Sequence, residues 1–223
     1  MTDSIREKIE QIYQTIPATT RLIAVSKQAS VAAIRTAYQA GVRDFAENRL
    51  QDALAKQEKL QDLSDICWHF IGHIQSKKAK KILSSFSWIH SVDSLKLAQR
   101  LDRLSAELNV IPQVCLQVKV LEDPDKYGWD QEELLVDLKT IDCLKNIKVK
   151  GLMTILPLNL STEQTLNAFK QVKFLAKTIK QQSWQNVEMT ELSMGMSADY
   201  ALAVEAGATM IRPGRIIFGN GLL

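Results

Sequence analysis

From Arg21 onward, short runs of β-branched and apolar residues alternate with longer stretches of helical period. No other feature constrains the fold as strongly, because a repeated strand–helix–strand order builds a parallel sheet with helices covering it. Candidate strands fall at 21–27, 44–48, 68–73, 88–92, 113–120, 149–155, 188–195 and 209–214. Between them lie helical stretches at 31–39, 49–60, 77–83, 95–108, 131–140, 162–180 and 198–206. About eight strands is the number at which such a sheet closes on itself. One more helix, 7–16, precedes the first strand and is expected to fill the place of a helix after the last one. Gly41 and Gly207 end helices just before strands, and Pro124 and Pro157 fall in connections rather than strand centres. The expectation is a single α/β domain over 1–223, a (β/α)8 TIM barrel.

With 46% hydrophobic residues among 223, the chain can bury a substantial core in one domain. A net charge of +3, from 28 Lys+Arg against 25 Asp+Glu, gives no pull toward nucleic acid. The polar start and the lack of any long apolar run predict neither export nor a membrane span. Cys67, Cys115 and Cys143 are widely spaced and set in apolar surroundings, which points to reduced core thiols in a cytoplasmic protein.

In such a barrel the strand C-termini and the loops after them carry the chemistry, with phosphate commonly held after the seventh and eighth strands. Strand seven runs into Leu192-Ser193-Met194-Gly195-Met196-Ser197, with a helix expected to start near Ser197. Gly195 permits close backbone approach, and Ser197 with the first helical amides can donate to an anion. Strand eight ends in Arg212-Pro213-Gly214-Arg215, a glycine turn between two guanidinium groups. Arg212 closes an apolar run, so it is expected to have a buried partner.

Lys27 ends the first strand on the same side as Ile23 and Val25. At a barrel mouth, desolvation and nearby cations would favour its neutral amine, the form that condenses with an aldehyde. His69 and His73 are four apart, but on a strand that separation spans about 13 Å, too far for one metal ion. No metal site is expected, and His69 reads as a hydrogen-bonded core histidine. The basic run from Lys77 to Lys81 reads as a solvated helix face.

These residues carry a resemblance: Ala24-Val25-Ser26-Lys27, Glu47-Asn48, His69-Phe70-Ile71-Gly72, Ile89 to Ser94, Gly151 to Ile155, Leu192 to Ser197, and Ile217-Phe218-Gly219. As a set, from about Arg21 to Gly219, the chain resembles the pyridoxal phosphate homeostasis family, the YggS/PROSC group. The resemblance implies a barrel like the N-terminal domain of alanine racemase, with pyridoxal 5'-phosphate (PLP) as cofactor in a Schiff base to Lys27. It further implies that Arg212 faces the pyridine nitrogen, that Ser193 to Ser197, including Gly195, and Gly214-Arg215 hold the phosphate, and that Asn48 and Met153 line the cofactor. Ala46 stands where the family usually has Gly, Lys77 where Asn is common, and Arg215 where a Ser or Thr often meets the phosphate.

The implied role is vitamin B6 (PLP) homeostasis, with effects on amino-acid metabolism, and not robust catalysis. An arginine at the pyridine nitrogen would keep it unprotonated and weaken the electron sink that pyridoxal enzymes use. A second catalytic base, supplied in racemases by a further C-terminal domain, has no evident source in a chain that ends soon after Gly219. The expected behaviour is that of a carrier, a monomer passing PLP to apo-enzymes or meeting a regulatory protein; the alternative is a PLP-dependent amino-acid racemase.

Overall fold

The computed structural model describes residues 2–123 and 126–219, so Pro124 and residues 220–223 lie outside the described residues. Eight parallel strands close into a barrel in sequence order: β1 (Arg21–Val25), β2 (Asp44–Glu47), β3 (Cys67–Phe70), β4 (Trp88–Val92), β5 (Gln113–Gln117), β6 (Lys148–Met153), β7 (Val187–Ser193) and β8 (Met210–Ile211). Around them run α1 (Thr2–Thr15), α2 (Val31–Gln39), α3 (Leu50–Lys59), α4 (Ala79–Leu83), α5 (Leu95–Leu108), α6 (Gln131–Asp142), α7 (Thr162–Lys180), α8 (Tyr200–Ala206) and α9 (Arg215–Phe218). The TIM-barrel expectation holds.

Four helix starts carry the chemistry that stops a helix unwinding. Ser30, Ser94, Asp130 and Ser161 each accept a hydrogen bond from an amide in the first turn, and Asp130 and Ser161 complete reciprocal capping boxes with Glu133 and Gln164. Ile9 and Ile12 sink one stripe of α1 into the core, joined by Ile16 just after its end, and α1 packs against α2 and α9 where the ring of helices closes. The N-terminal helix thus fills the gap expected of it.

Strands were expected too long at their C-terminal ends. The last residues, among them Ser26-Lys27, Asn48, Ile71 to His73 and Arg212 to Gly214, have left the ladder. The chain still bonds across the rim, the Ser26 amide to the Ala46 carbonyl and the Ile71 amide to the Glu47 carbonyl, each at 3.0 Å, but these single bonds lie beyond the regular paired ladder. Other corrections concern helix starts and the terminus. The helix expected from 198 begins at Tyr200, the stretch 77–83 opens with a 3-10 turn at Ser76–Lys78, and α9 follows β8 where no helix was expected.

Strand alternation sorts side chains sharply. Leu22, Ala24, Phe45, Phe70, Ile89, Leu116, Leu152, Leu192 and Ile211 face the helices as one large core. Ile23, Ala46, Trp88, Cys115, Met153 and Met210 fill the barrel interior. Barrel interiors of this fold are ordinarily packed with branched apolar residues. Here buried His69, His90, Ser193 and Arg212 share that space.

Candidate functional site

At the C-terminal mouth of the barrel lies a cavity of about 610 Å³. Its wall includes Lys27, Asn48, Ser197, Arg212, Gly214 and Arg215, which the sequence reading had placed at one site from four separate strand ends. Ile155 to Leu160 with Thr162 and Thr165 form the side toward β6 and α7, and Met196 to Asp199 with Leu202 the side toward α8. The charges on the wall are Lys27, Arg212 and Arg215 against Asp199, an excess of positive charge that suits an anion.

Met153, Ser193 and Gly195 stand outside this wall. Met153 is fully buried one layer below the mouth, and Ile155, two residues further along the same face, takes the place foreseen for it. Gly195 has φ +91°, and a Cβ there would come within 2.6 Å of the Ala203 Cβ. Its role is close packing against α8 and acceptance of the Arg212 amide at 2.8 Å. Ser193 is sealed in the interior, with its hydroxyl between Arg212 Nη1 at 2.6 Å and His90 Nδ1 at 2.7 Å.

Ser197 does not begin α8, whose N-cap is Asp199. Its hydroxyl oxygen accepts from the Gly214 amide at 3.0 Å and from Ile216 at 3.2 Å, stitching the loop after β7 to the start of α9. The hydroxyl hydrogen is still available to the cavity, as is the amide of Arg215, the first residue of α9. Asp199 Oδ1 accepts from the Met196 amide at 2.6 Å and fixes the turn between.

Arg212 is 3% exposed. Its expected buried partners are Ser193 Oγ and the Thr154 carbonyl, the latter 2.8 Å from Nη2. Burial draws the guanidinium down to about 10, which still leaves it charged at neutral pH. Lys27 lines the cavity but is exposed, so the desolvated setting expected for it is not what the barrel mouth supplies.

Behind Ser193 the polar line continues. His90 Nε2 lies 2.8 Å from His69 Nδ1, and His69 Nε2 lies 2.8 Å from Asp44 Oδ1 at the opposite, N-terminal end of the barrel. Burial holds both histidines below their ordinary value of 6.5, His90 the further because His69, Arg212 and Arg21 add their fields, whereas Asp44 partly restores His69. His73 is elsewhere, exposed, stacked on Tyr127 and 3.2 Å from Asp93, so the two histidines four apart share no site. Asp44, Cys67 and His69 do bring ligand atoms within 4.8 Å of one another. Against a cation there stand the Arg21 guanidinium 3.8 Å from Asp44 and a Cys67 thiol pushed up to about 12, first by burial.

The sequence reading missed a second buried group. Glu47 is 0% exposed, and its Oε1 accepts from the Ser26 hydroxyl at 2.6 Å and from Lys56 Nζ at 2.8 Å. These bonds tie the ends of β1 and β2 together immediately before Lys27 and Asn48. Glu47-Asn48 was visible as a motif, but nothing in sequence pairs it with a lysine on the face of α3.

The model of the alanine racemase N-terminal domain matches residues 1–221. A pyridoxal phosphate homeostasis protein of Synechocystis is 53% identical over 212 residues, covering 95% of this chain and 96% of that protein. One from Pseudomonas aeruginosa is 43% identical, covering 91% and 85%. Among solved structures, PipY of Synechococcus elongatus with PLP bound superposes with a TM-score of 0.92 at 47% identity, covering 96% of this chain and all, 100%, of that one. An alanine racemase of Clostridium difficile shares the fold at a TM-score of 0.81 and 16% identity, this chain spanning 56% of its length.

Proposed function

The chain belongs to the alanine racemase N-terminal domain family, among its pyridoxal phosphate homeostasis proteins, and on that footing we propose that it binds PLP in the barrel-mouth cavity and serves vitamin B6 homeostasis by holding and passing on the cofactor. The observation that carries this reading is the convergence of Lys27, Arg212, Ser197 and Gly214 on one cavity. When bound, PLP supplies an aldehyde that receives an amine and a conjugated ring that delocalises charge. The donor set fits such a molecule: an amine for the aldehyde, a guanidinium for the ring nitrogen, and a hydroxyl, a backbone amide and a second guanidinium for the phosphate. The absence of a side chain at Gly214 matters to that fit, since a Cβ there would lie 2.9 Å from the Val25 carbonyl oxygen on the cavity wall.

Each residue then has a task. Lys27 would present its amine to the cofactor's aldehyde. Arg212, fixed by Ser193 and Thr154, presents donors and not a proton acceptor to the ring nitrogen. Ser197, already accepting two amides, donates its own hydrogen to the phosphate, and Asn48 borders the ring at the end of β2.

Holding rather than transforming is supported by the wall itself. Among the described residues it includes no histidine, tyrosine or cysteine to act as a second base, and Asp199 is engaged by the Met196 amide. The exposure of Lys27 suits exchange of the cofactor better than protection of a carbanion from water. Of the three cysteines expected in the core, Cys115 is buried, Cys67 is half-buried and Cys143 is exposed at the end of α6.

The test is borohydride reduction of PLP-loaded protein followed by peptide mapping. A pyridoxyl label on Lys27, lost in Lys27→Ala, supports the reading. Label on another lysine overturns the assignment, and the absence of any visible absorption after loading overturns the function.

A further inference from the structure

The line from Arg212 to Asp44 permits a single direction of hydrogen bonding. Asp44 only accepts and Arg212 only donates, and with both buried imidazoles neutral each has one hydrogen to give, so the Ser193 oxygen accepts from Arg212 and the Ser193 hydrogen goes to His90 Nδ1. His90 then carries its proton on Nε2 and gives it to His69 Nδ1. His69 in turn carries its proton on Nε2 and gives it to Asp44, whose carboxylate only accepts. Every link is between 2.6 and 2.8 Å, and His69, His90 and Ser193 are 0% exposed. With neutral imidazoles, reversing the link between the histidines takes the hydrogen from His69 Nε2 and leaves two acceptors facing each other at Asp44.

We propose that His90 and His69 are positioning residues for Arg212, transmitting through Ser193 the anchorage of Asp44 at the far end of the barrel so that the guanidinium keeps one orientation toward the mouth. This rests on the reading that the PLP ring nitrogen meets Arg212. The direct partners of Arg212 are a hydroxyl and a carbonyl, neither of them charged. Either alone would leave the guanidinium plane free to tilt. The dipoles of Ser193, His90 and His69 all point from the cation toward the Asp44 carboxylate, so each bond polarises and stiffens the next. Arg21 lies 3.8 Å from Asp44 and is itself 3.7 Å from Glu191, and Trp88 stacks on His69. The proposed anchor is therefore itself held.

Glutamine at position 90 can accept with its oxygen and donate with its nitrogen, preserving the direction of the line, whereas leucine breaks it. PLP-loaded wild type, His90→Gln and His90→Leu are compared by the absorption spectrum of the bound cofactor as a function of pH and by PLP affinity. His90→Leu should shift the pH profile and weaken binding roughly tenfold, the loss of about one charge-assisted hydrogen bond, while His90→Gln restores most of both. Ser193→Ala cuts the same line with little change of volume and should shift the profile as His90→Leu does, so a leucine variant that fails to fold does not end the test. Wild-type profiles in folded His90→Leu or in Ser193→Ala overturn the proposal. Should wild type bind no PLP, the functional reading fails separately, and ¹⁵N NMR of the ligand-free chain then decides the line. Nε2-protonated tautomers at both His69 and His90 support it, and an Nδ1-protonated tautomer at either overturns it.

Discussion

Lys56 reaches back from α3 to set its ammonium 2.8 Å from the fully buried carboxylate of Glu47, and donates also to the Ser26 carbonyl at 2.6 Å. The pair therefore clamps two adjacent strand ends at the point where Lys27 and Asn48 leave them. The other Glu47 oxygen, Oε2, is buried without a hydrogen-bond partner, so the carboxylate depends on what Oε1 receives. Lys56→Ala should cost about 3–5 kcal/mol, the usual penalty for stranding a buried charge. Urea unfolding of Lys56→Ala beside Lys56→Met with Glu47→Gln gives the check. The double variant should recover a large part of the loss, and equal losses in both would show that packing, not charge, is at stake.

Gly72 packs on the carbonyl of Asn48 so closely that a Cβ would lie 2.1 Å from that oxygen. Backbone cannot yield as a flexible side chain does, so Gly72→Ala must displace the end of β2. The expected result is a stability loss of more than about 2 kcal/mol together with weaker PLP binding. A variant that matched wild type in thermal midpoint and in affinity would show that the rim is softer than its packing suggests.

Most of the PLP affinity should come from the phosphate loops, because several charge-assisted donors act there while the bond to Lys27 is reversible. Lys27→Ala should still take up PLP without covalent attachment. Ser197→Ala combined with Gly214→Val, which removes the stitch between the loops and pushes on Val25, should lower affinity at least roughly a hundredfold. Equilibrium dialysis separates the cases, and the reverse ranking would remove the phosphate from these loops.

His69 and His90 set the acid limb of stability. Both are held below 6.5 in the folded protein, first by burial; Asp44 opposes this at His69, and His69, Arg212 and Arg21 deepen it at His90. An unfolded chain binds protons at these positions near pH 6.5 while the folded chain does not. Stability is therefore undiminished above that pH and falls as pH drops toward the lower folded values, by up to about 1.4 kcal/mol per pH unit for each histidine. Thermal midpoints measured from pH 7.5 to 5 should show the fall, and His90→Gln should remove about half of it.

Carbanion chemistry at the site should be poor, since Arg212, in the proposed pose, would offer the ring nitrogen donors only and the described wall has no evident second base. With PLP-loaded protein and a panel of amino acids in deuterated water, α-proton exchange followed by NMR should stay slow. Rapid exchange with any one of them, abolished in Lys27→Ala, would favour the racemase-type reading.

Much of this was legible because barrels repeat. Eight apolar runs with helices between them fixed the closure, and the rule that strand C-termini face the site brought Lys27, Asn48, Ser197, Arg212, Gly214 and Arg215 to one mouth. What stayed hidden depends on height along the barrel axis. Met153 and Ile155 lie on the same face of one strand, yet a single layer decides which reaches the cavity. Ser193 looked like part of a phosphate loop because of its neighbours, and only the register Ser193↔Met210 sets it beneath Arg212. The histidine line draws its members from β2, β3, β4 and β7, and no spacing in the sequence encodes that encounter.

β8 is the shortest strand, joined to β7 at the single register pair Ser193↔Met210 and to β1 at two, Arg21↔Met210 and Leu22↔Ile211. A cofactor held as proposed by Lys27 after β1, Gly214 after β8 and Ser197 after β7 would straddle this thin seam. It would act as a clasp: a ligand at a hundred times its Kd adds about 2.7 kcal/mol against opening. The emptied barrel should then be the form that proteases cut first, so that the lifetime of the protein itself follows the supply of the molecule it carries.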